Sequence, residues 1–452
     1  MNWKTVFAIA GLPLLNACAM NTAEVAPLPA DQEPAEQLQM TDASGEPIPD
    51  MNVYEVTDTS AYSAEDEAEY LRRFNKLLED ARTGAGLATY EPLEAVPGAE
   101  IPEPLPFAET KTLSSEAIEQ AHAYVAARNT SAFMIWKDGA LQHEAYFGEF
   151  DRGTPIVSKS LAKPITVLLI GRAIMQGHIN SLDQPVADFI TEWKGDPERE
   201  KITLRHLLSM RSGMLPQGFS PKPEDMLNRA YLHPRHDEII INDYPMTHEP
   251  GARYEYSNAN AEIIAPIIER ATGMRYSKYV SEALLKPIGA PGGSVWVNRE
   301  GGTAHSGCCI LLPAESWVRM AMLVMNDGVW EDTRLLPEGY TDAMRTGSSQ
   351  NEYYGLGVWI AGTYIERRGY ANPEIPYGKV LHSEPYLDKE LSLFDGNSNQ
   401  VVYMIPSQNM IILRTGATPP KDVPWDNTVL PNLLIADSAA MDGRPLPEPQ
   451  PR

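Results

Sequence analysis

The sequence predicts an α+β fold: an antiparallel sheet flanked by helices, with a helical subdomain inserted between its early and late strands. Three observations carry this. An early hairpin pairs Ala132–Lys137 with Ala140–Phe147 across Asp138-Gly139, a dipeptide suited to a two-residue turn. A helical middle follows, with runs over about 160–176, from Ile202 with Thr203 at the cap, and over 259–272, where Ile263, Ile264, Ile267 and Ile268 share a face. Strands then return at Tyr354–Ile360, Gln400–Ile405 and Met410–Arg414.

The elements before and after this block read differently. Lys4 precedes a mostly apolar run, Val6 to Leu15, which is shorter than the ~20 residues a spanning helix needs and fits an export signal. It ends Leu15-Asn16-Ala17-Cys18, which resembles a bacterial lipobox with Cys18 as the lipidation site. Asn16 is an unusual occupant, so cleavage at Ala17-Cys18-Ala19 in a plain secretory signal stays open. Residues 1–18 are thus a signal segment, and the expected location is the periplasm or cell envelope. Residues 19–112 form an acidic, Pro-rich tether with one helix at 63–82, Ser63 at its cap, and an extended connector at 92–106 that holds five prolines. A helix at 114–128 with Ser114 at its cap opens the main domain, 113–437. Residues 438–452 form a Pro-rich tail, extended from 443.

Composition excludes several functions. The chain has 452 residues, 61 acidic and 37 basic, for a net charge of −24. Residues 19–110 alone carry −16, so the rest is ordinary at −8. Phosphate contacts need clustered Lys and Arg, which argues against nucleic acid and against docking on anionic lipid. A membrane is met only through the N-terminal anchor. The 3 Cys make no disulfide scaffold. Cys308 and Cys309 read as two small buried residues rather than a vicinal disulfide. The 9 His show no ligand spacing, so no metal and no cofactor are expected. Met210, Met214 and the Met320–Met325 group read as core filler.

The chemistry centres on Ser160-Leu161-Ala162-Lys163 at a helix start. The i, i+3 spacing puts hydroxyl and amine on one face. A hydroxyl attacks well only when a base takes its proton, and a buried Lys can be that base. Alone, such a match is more often a capping Ser beside a solvated Lys. Tyr256-Ser257-Asn258, ninety-six residues beyond Ser160, changes the weighting. Together with Phe133–Gly139, Ser181–Asp188, Ile202–Gly213 and Tyr256–Gly273, these motifs resemble the serine β-lactamase/penicillin-binding-protein superfamily over roughly 114–436. The nearest branch is class C-like, with type VIII esterases and 6-aminohexanoate-dimer hydrolases.

The resemblance implies a β-lactamase/transpeptidase-like fold with Ser160 as nucleophile and Lys163 and Tyr256 as proton shuttle. It implies Asn258 as a partner of the Lys or of the substrate carbonyl. Ser158 competes with Ser160, but has Leu161 at i+3 where the Lys belongs. The third motif departs from K-T-G: Gly396-Asn397-Ser398 takes its place, with the N–H groups of Ser160 and Asn397 as oxyanion donors. Arg345-Thr346-Gly347, Arg414-Thr415-Gly416 and His305-Ser306-Gly307 are set aside as chance matches, and His206 as structural. The expectation is an exported serine hydrolase cleaving a small ester or amide through an acyl-enzyme. The alternatives are a D,D-carboxypeptidase or weak β-lactamase, disfavoured by the missing third-motif Lys, and a catalytically silent envelope binding protein.

Overall fold

The computed structural model describes residues 54–81, 90–216, 220, 222–369, 371 and 379–452. The signal segment, Cys18 and tether residues 19–53 and 82–89 lie outside the described residues. Two sheets organise the chain. Their strands are β1 (Leu93–Val96), β2 (Thr130–Lys137), β3 (Ala140–Tyr146), β4 (Ile156–Val157), β5 (Gly293–Trp296), β6 (Ile310–Leu312), β7 (Trp359–Ile360), β8 (Ser392–Gly396), β9 (Gln400–Ile405) and β10 (Met410–Gly416). The central antiparallel sheet runs β3-β2-β10-β9-β8-β7 and the smaller one β1-β5-β6-β4. The helices used below are α1 (Ala64–Ala81), α2 (Ser115–Ala126), α3 (Ala162–Met175), α4 (His236–Asn242), α5 (Asn258–Glu262), α6 (Ile264–Thr272), α7 (Ala314–Met325) and α8 (Val429–Met441).

Strand alternation builds the two cores. Phe133 and Ile135 on β2 join Tyr403 on β9, Ile118 on α2 and Leu434 on α8 in one cluster. Met134 and Trp136 point the other way, with Met404, Leu168 on α3 and Val318 on α7. Asp138 (φ 53) and Gly139 (φ 92) both take the left-handed conformation that a tight hairpin turn requires. Ser114 and Thr203 cap as expected, accepting from Ala117 N and His206 N. The Ser63 hydroxyl accepts from Asp66 N at 3.1 Å ahead of α1.

Four expectations change. The helix over 259–272 divides at Ile263 into α5 and α6. Pro266 has no N–H to give the Glu262 carbonyl, and the Ser306 hydroxyl donates to that carbonyl instead, at 3.0 Å. The strand at Tyr354–Ile360 shrinks to β7, because Gly357 (φ 65) packs where a Cβ would lie 2.6 Å from Val167 Cγ2 and 3.2 Å from the Lys163 carbonyl. The connector 92–106 contains β1, an edge strand bracketed by Pro92 and Pro97, where a missing N–H is tolerated. Cys308 and Cys309 are buried but bonded to each other. Their turn is fixed by Ile310 N donating to Cys308 O (2.8 Å) and Trp296 N to Cys309 O (2.9 Å), with Cys309 left-handed at φ 42.

The described part of the N-terminal region packs on the domain. Tyr70 and Phe74 of α1 are buried beside Leu232 and Trp296. Helix α8 runs on to Met441, four residues into the expected tail, and beyond it the tail is extended and docked, with Gln450 N donating to Tyr386 O at 2.9 Å.

Candidate active site

Ser160 lies on a 3-10 turn, Lys159–Leu161, that leads into α3. Lys159 before it holds φ 49, a conformation non-glycine residues seldom adopt. Lys163, one turn on, is buried. Its Nζ lies 3.2 Å from Ser160 Oγ, 2.7 Å from Asn258 Oδ1 and 2.9 Å from the Gly307 carbonyl. Burial pushes the amine down to about 7, opposed by the charge of Glu262. At neutral pH a large fraction is therefore the free base, the state a proton acceptor needs.

Tyr256 brings its ring centroid to 4.7 Å from Lys163 Nζ. The ring is nearly parallel to Trp359, with centroids 6.3 Å apart, and edge-on to Tyr354 at 6.2 Å. Its backbone N donates to the Ala371 carbonyl at 2.8 Å. The ring thus faces the amine from within the core cluster it shares with Tyr354 and Trp359. Asn258 starts α5, so the split helix aims its amide oxygen at Lys163.

The third motif closes the opposite wall. A Cβ on Gly396 would lie 3.2 Å from Ser160 N, from Leu161 N and from Ser158 O, so glycine lets β8 approach the Ser160 turn without crowding its backbone. Asn397 Oδ1 accepts from Ser398 N at 2.7 Å, and Ser398 (φ 65) and Asn399 (φ 56) reverse the chain. Buried Arg414 donates to Ser398 O (2.6 Å) and Asn399 O (3.0 Å), fixing that reversal. Gln400 donates to Val157 O at 2.6 Å, tying the motif to the strand before Ser160.

Ser160, Lys163, Tyr256, Asn258 and Gly396 thus meet in one place. Ser158 does not: its buried hydroxyl donates to Cys308 O and accepts from Ile310 N, each at 3.2 Å. Two set-aside matches belong to the site's surroundings. Gly307 supplies an acceptor to Lys163, and Arg414 braces the third motif. Glu262 was also missed, although an acid in the apolar run Ala259–Ile264, one turn after Asn258, was a visible signal. Among the described residues, one group brings three metal-ligating side chains within 4.8 Å of one another: His236, Glu262 and His305.

The description "Beta-lactamase" matches residues 116–413 as a family. Protein flp of Staphylococcus aureus is 28% identical over 175 residues, 35% of this chain and 33% of that protein, so the chain spans about a third of the length of these curated relatives. The 6-aminohexanoate-dimer hydrolase of Paenarthrobacter ureafaciens is 23% identical over 238 residues, 49% of this chain and 58% of that one. A solved structure from Bacillus anthracis, described as a candidate 6-aminohexanoate-dimer hydrolase, superposes with a TM-score of 0.61 at 19% identity, over 83% of this chain and 95% of that one. The fold expected from the hairpin, the helical middle and the late strands is borne out, and so is the resemblance carried by Ser160-x-x-Lys163 and Tyr256-Ser257-Asn258. The chain belongs to the beta-lactamase family of serine hydrolases.

Proposed function

We propose that the protein hydrolyses a small ester or linear amide through an acyl-enzyme on Ser160. The observation that carries this is the buried Lys163 amine, poised near neutrality and 3.2 Å from the Ser160 hydroxyl. Ser160 Oγ bonds to the substrate carbonyl carbon as its proton passes to Lys163 Nζ. The oxyanion is held by the backbone N–H groups of Ser160 and Asn397, and such donors are worth roughly 10²–10³ in rate. The leaving group departs with the proton, relayed through Lys163 and Tyr256. Water then bonds to the acyl carbon, and Ser160 regains its hydrogen.

Gly396-Asn397-Ser398 offers no side-chain cation to a substrate carboxylate, which favours uncharged esters and linear amides over β-lactams and D-Ala-D-Ala peptides. The name of the Paenarthrobacter relative supports the amide. The test is labelling with a fluorophosphonate probe, read by intact mass. Wild type and Ser158→Ala gain one adduct, and Ser160→Ala gains none. An adduct that survives Ser160→Ala, or vanishes only with Ser158→Ala, sinks the assignment.

The Leu15-Asn16-Ala17-Cys18 end of the signal segment supports export and a lipid anchor on Cys18. Labelled palmitate fed to the expressing bacterium enters wild type and not Cys18→Ala. Equal labelling of both rejects the anchor.

A further inference from the structure

We propose that Glu262 is a positioning residue for Lys163: a buried carboxylate, packed against Gly307, that supplies the counter-charge against which the catalytic amine gains and loses its proton. This rests on reading Lys163 as the base for Ser160. Glu262 ends α5 four residues after Asn258, so both side chains leave one helical face. Asn258 holds Lys163 Nζ directly; Glu262 reaches it through the loop. The Gly307 carbonyl accepts from Nζ at 2.9 Å, and a Cβ on Gly307 would lie 2.9 Å from Glu262 Oε1. Any larger residue there would push the carboxylate and the amine's acceptor apart. The Ser306 hydroxyl rivets this loop to the helix, donating to the carbonyls of Ala261 (2.7 Å) and Glu262 (3.0 Å) and accepting from Ala265 N (3.1 Å).

The carboxylate is 1% exposed, and neither oxygen has a hydrogen bond of good geometry. The backbone N–H groups of Gly307 and Ser306 approach it, and burial pushes its proton affinity up. Two imidazoles also face it: His236 Nε2 at 3.7 Å, from α4, and His305 Nδ1 at 3.6 Å, from the loop. Neither supplies a cation, because burial holds His236 down at about 3 and His305 well below its usual value. Arg73 and Asp237 act on these imidazoles. The phenols of Tyr231 and Tyr276, whose protons burial retains with the Glu262 charge adding to it, stay neutral. His236 and Lys163 both bear on the Glu262 charge, and of the two Lys163 is the one that holds its proton toward neutral pH.

The imidazoles are set for packing rather than for holding an ion. His236 and His305 stack at 4.0 Å and 13°, and His305 stacks on Trp296 at 3.7 Å and 10°. Lone pairs in parallel planes run side by side, whereas a zinc ion needs them to converge at about 2.0 Å. What remains is electrostatic. A buried amine beside a buried carboxylate loses its proton less readily than one beside a neutral group, and the two titrate as a pair.

The experiment follows fluorophosphonate labelling of Ser160 from pH 5 to 9 in wild type, Glu262→Gln and Glu262→Asp. In wild type the rate rises with pH as Lys163 is freed of its proton, with a midpoint near the amine's value of about 7. Removing the negative charge makes protonated Lys163 less stable, so the limb in Glu262→Gln moves to lower pH. At pH 5.5 that variant labels, as a fraction of its own plateau, roughly threefold or more faster than wild type. Glu262→Asp, which keeps the charge, moves the limb back toward the wild-type position. If the amide variant does not fold, Glu262→Met carries the same test, since an apolar chain of similar length is tolerated where a lone polar group is not. Superimposed profiles, with Ser160 labelled in both proteins, overturn this inference alone. So does stoichiometric divalent metal in wild type that is lost in Glu262→Gln. Label that survives Ser160→Ala overturns the reading of the site, and this inference with it.

Discussion

What separates Lys163 from an ordinary lysine is the number and kind of its neighbours. Its ammonium has three hydrogens, and Ser160 Oγ, Asn258 Oδ1 and Gly307 O supply three acceptors. Burial weakens the charged form and the charge of Glu262 opposes that, so the amine sits between its two states. Lys159 shows what is lost without that enclosure. It too is pushed down by burial, to about 8, but its Nζ donates to Tyr90 OH at 2.8 Å. The i, i+3 spacing makes the Ser160–Lys163 pair legible in the sequence, because both groups are side chains one turn apart. The Gly307 carbonyl is not legible: a backbone acceptor 144 residues away leaves no pattern in residue types. The disulfide between Cys308 and Cys309 was misread for a related reason. Whether neighbouring thiols join depends on the backbone of the turn, which here is set by hydrogen bonds to Trp296 and Ile310.

At the scale of elements, the site is an approach of β8 to the head of α3. Gly396 is the point of closest passage, and three backbone atoms at 3.2 Å leave no flexible side chain to yield to a new methyl group. Gly396→Ala is expected to slow Ser160 labelling by roughly 3- to 10-fold, since the turn must give by only a fraction of the ~1 Å displacement that costs 10²-fold in a reacting geometry. The melting temperature should hardly move, because β8 keeps its partners β7 and β9. Gly153→Ala, where a Cβ meets only Asp151 Oδ1 at 3.6 Å, is the matched control and labels like wild type. A Gly396→Ala protein that labels at the wild-type rate would show that the strand and the turn are not in register. The strands of this sheet were readable because alternation marks which face each residue takes: β9 begins and ends where its pattern does, and β10 runs two residues longer. β7 and β1 were not readable. One is shortened by the approach of Gly357 to α3, and the other is a four-residue edge between prolines, so neither is long enough to show a period.

At the scale of the whole molecule, α1 ties residues far apart in the chain to one another. Composition placed it inside an acidic tether, yet Arg73 is buried and donates to the carbonyls of Leu232 (3.1 Å), Glu91 (3.2 Å) and Asn298 (2.8 Å), while pairing with Glu69 at 2.7 Å. Its guanidinium lies 5.3 Å from the centre of the Trp296 ring, and Trp296 stacks on His305 beside Glu262. Arg73→Met keeps much of the apolar stem but strips three carbonyls of their donor, at a cost on the order of 3 kcal/mol. Because α1 joins the rest through one face, that cost falls on its docking before it falls on the sheet. Amide exchange over residues 64–81 should speed up by roughly a hundredfold in Arg73→Met, with β2 and β10 unchanged. Arg72→Met is the control: Arg72 is more than half exposed and its ion pair among the described residues is with Glu69, so it should stay within about 0.5 kcal/mol of wild type. Equal acceleration of α1 and of the central strands would mean that the helix unfolds only with the whole domain. No acceleration at all would mean that the three carbonyls are satisfied without Arg73, and either result removes the docking role assigned to it.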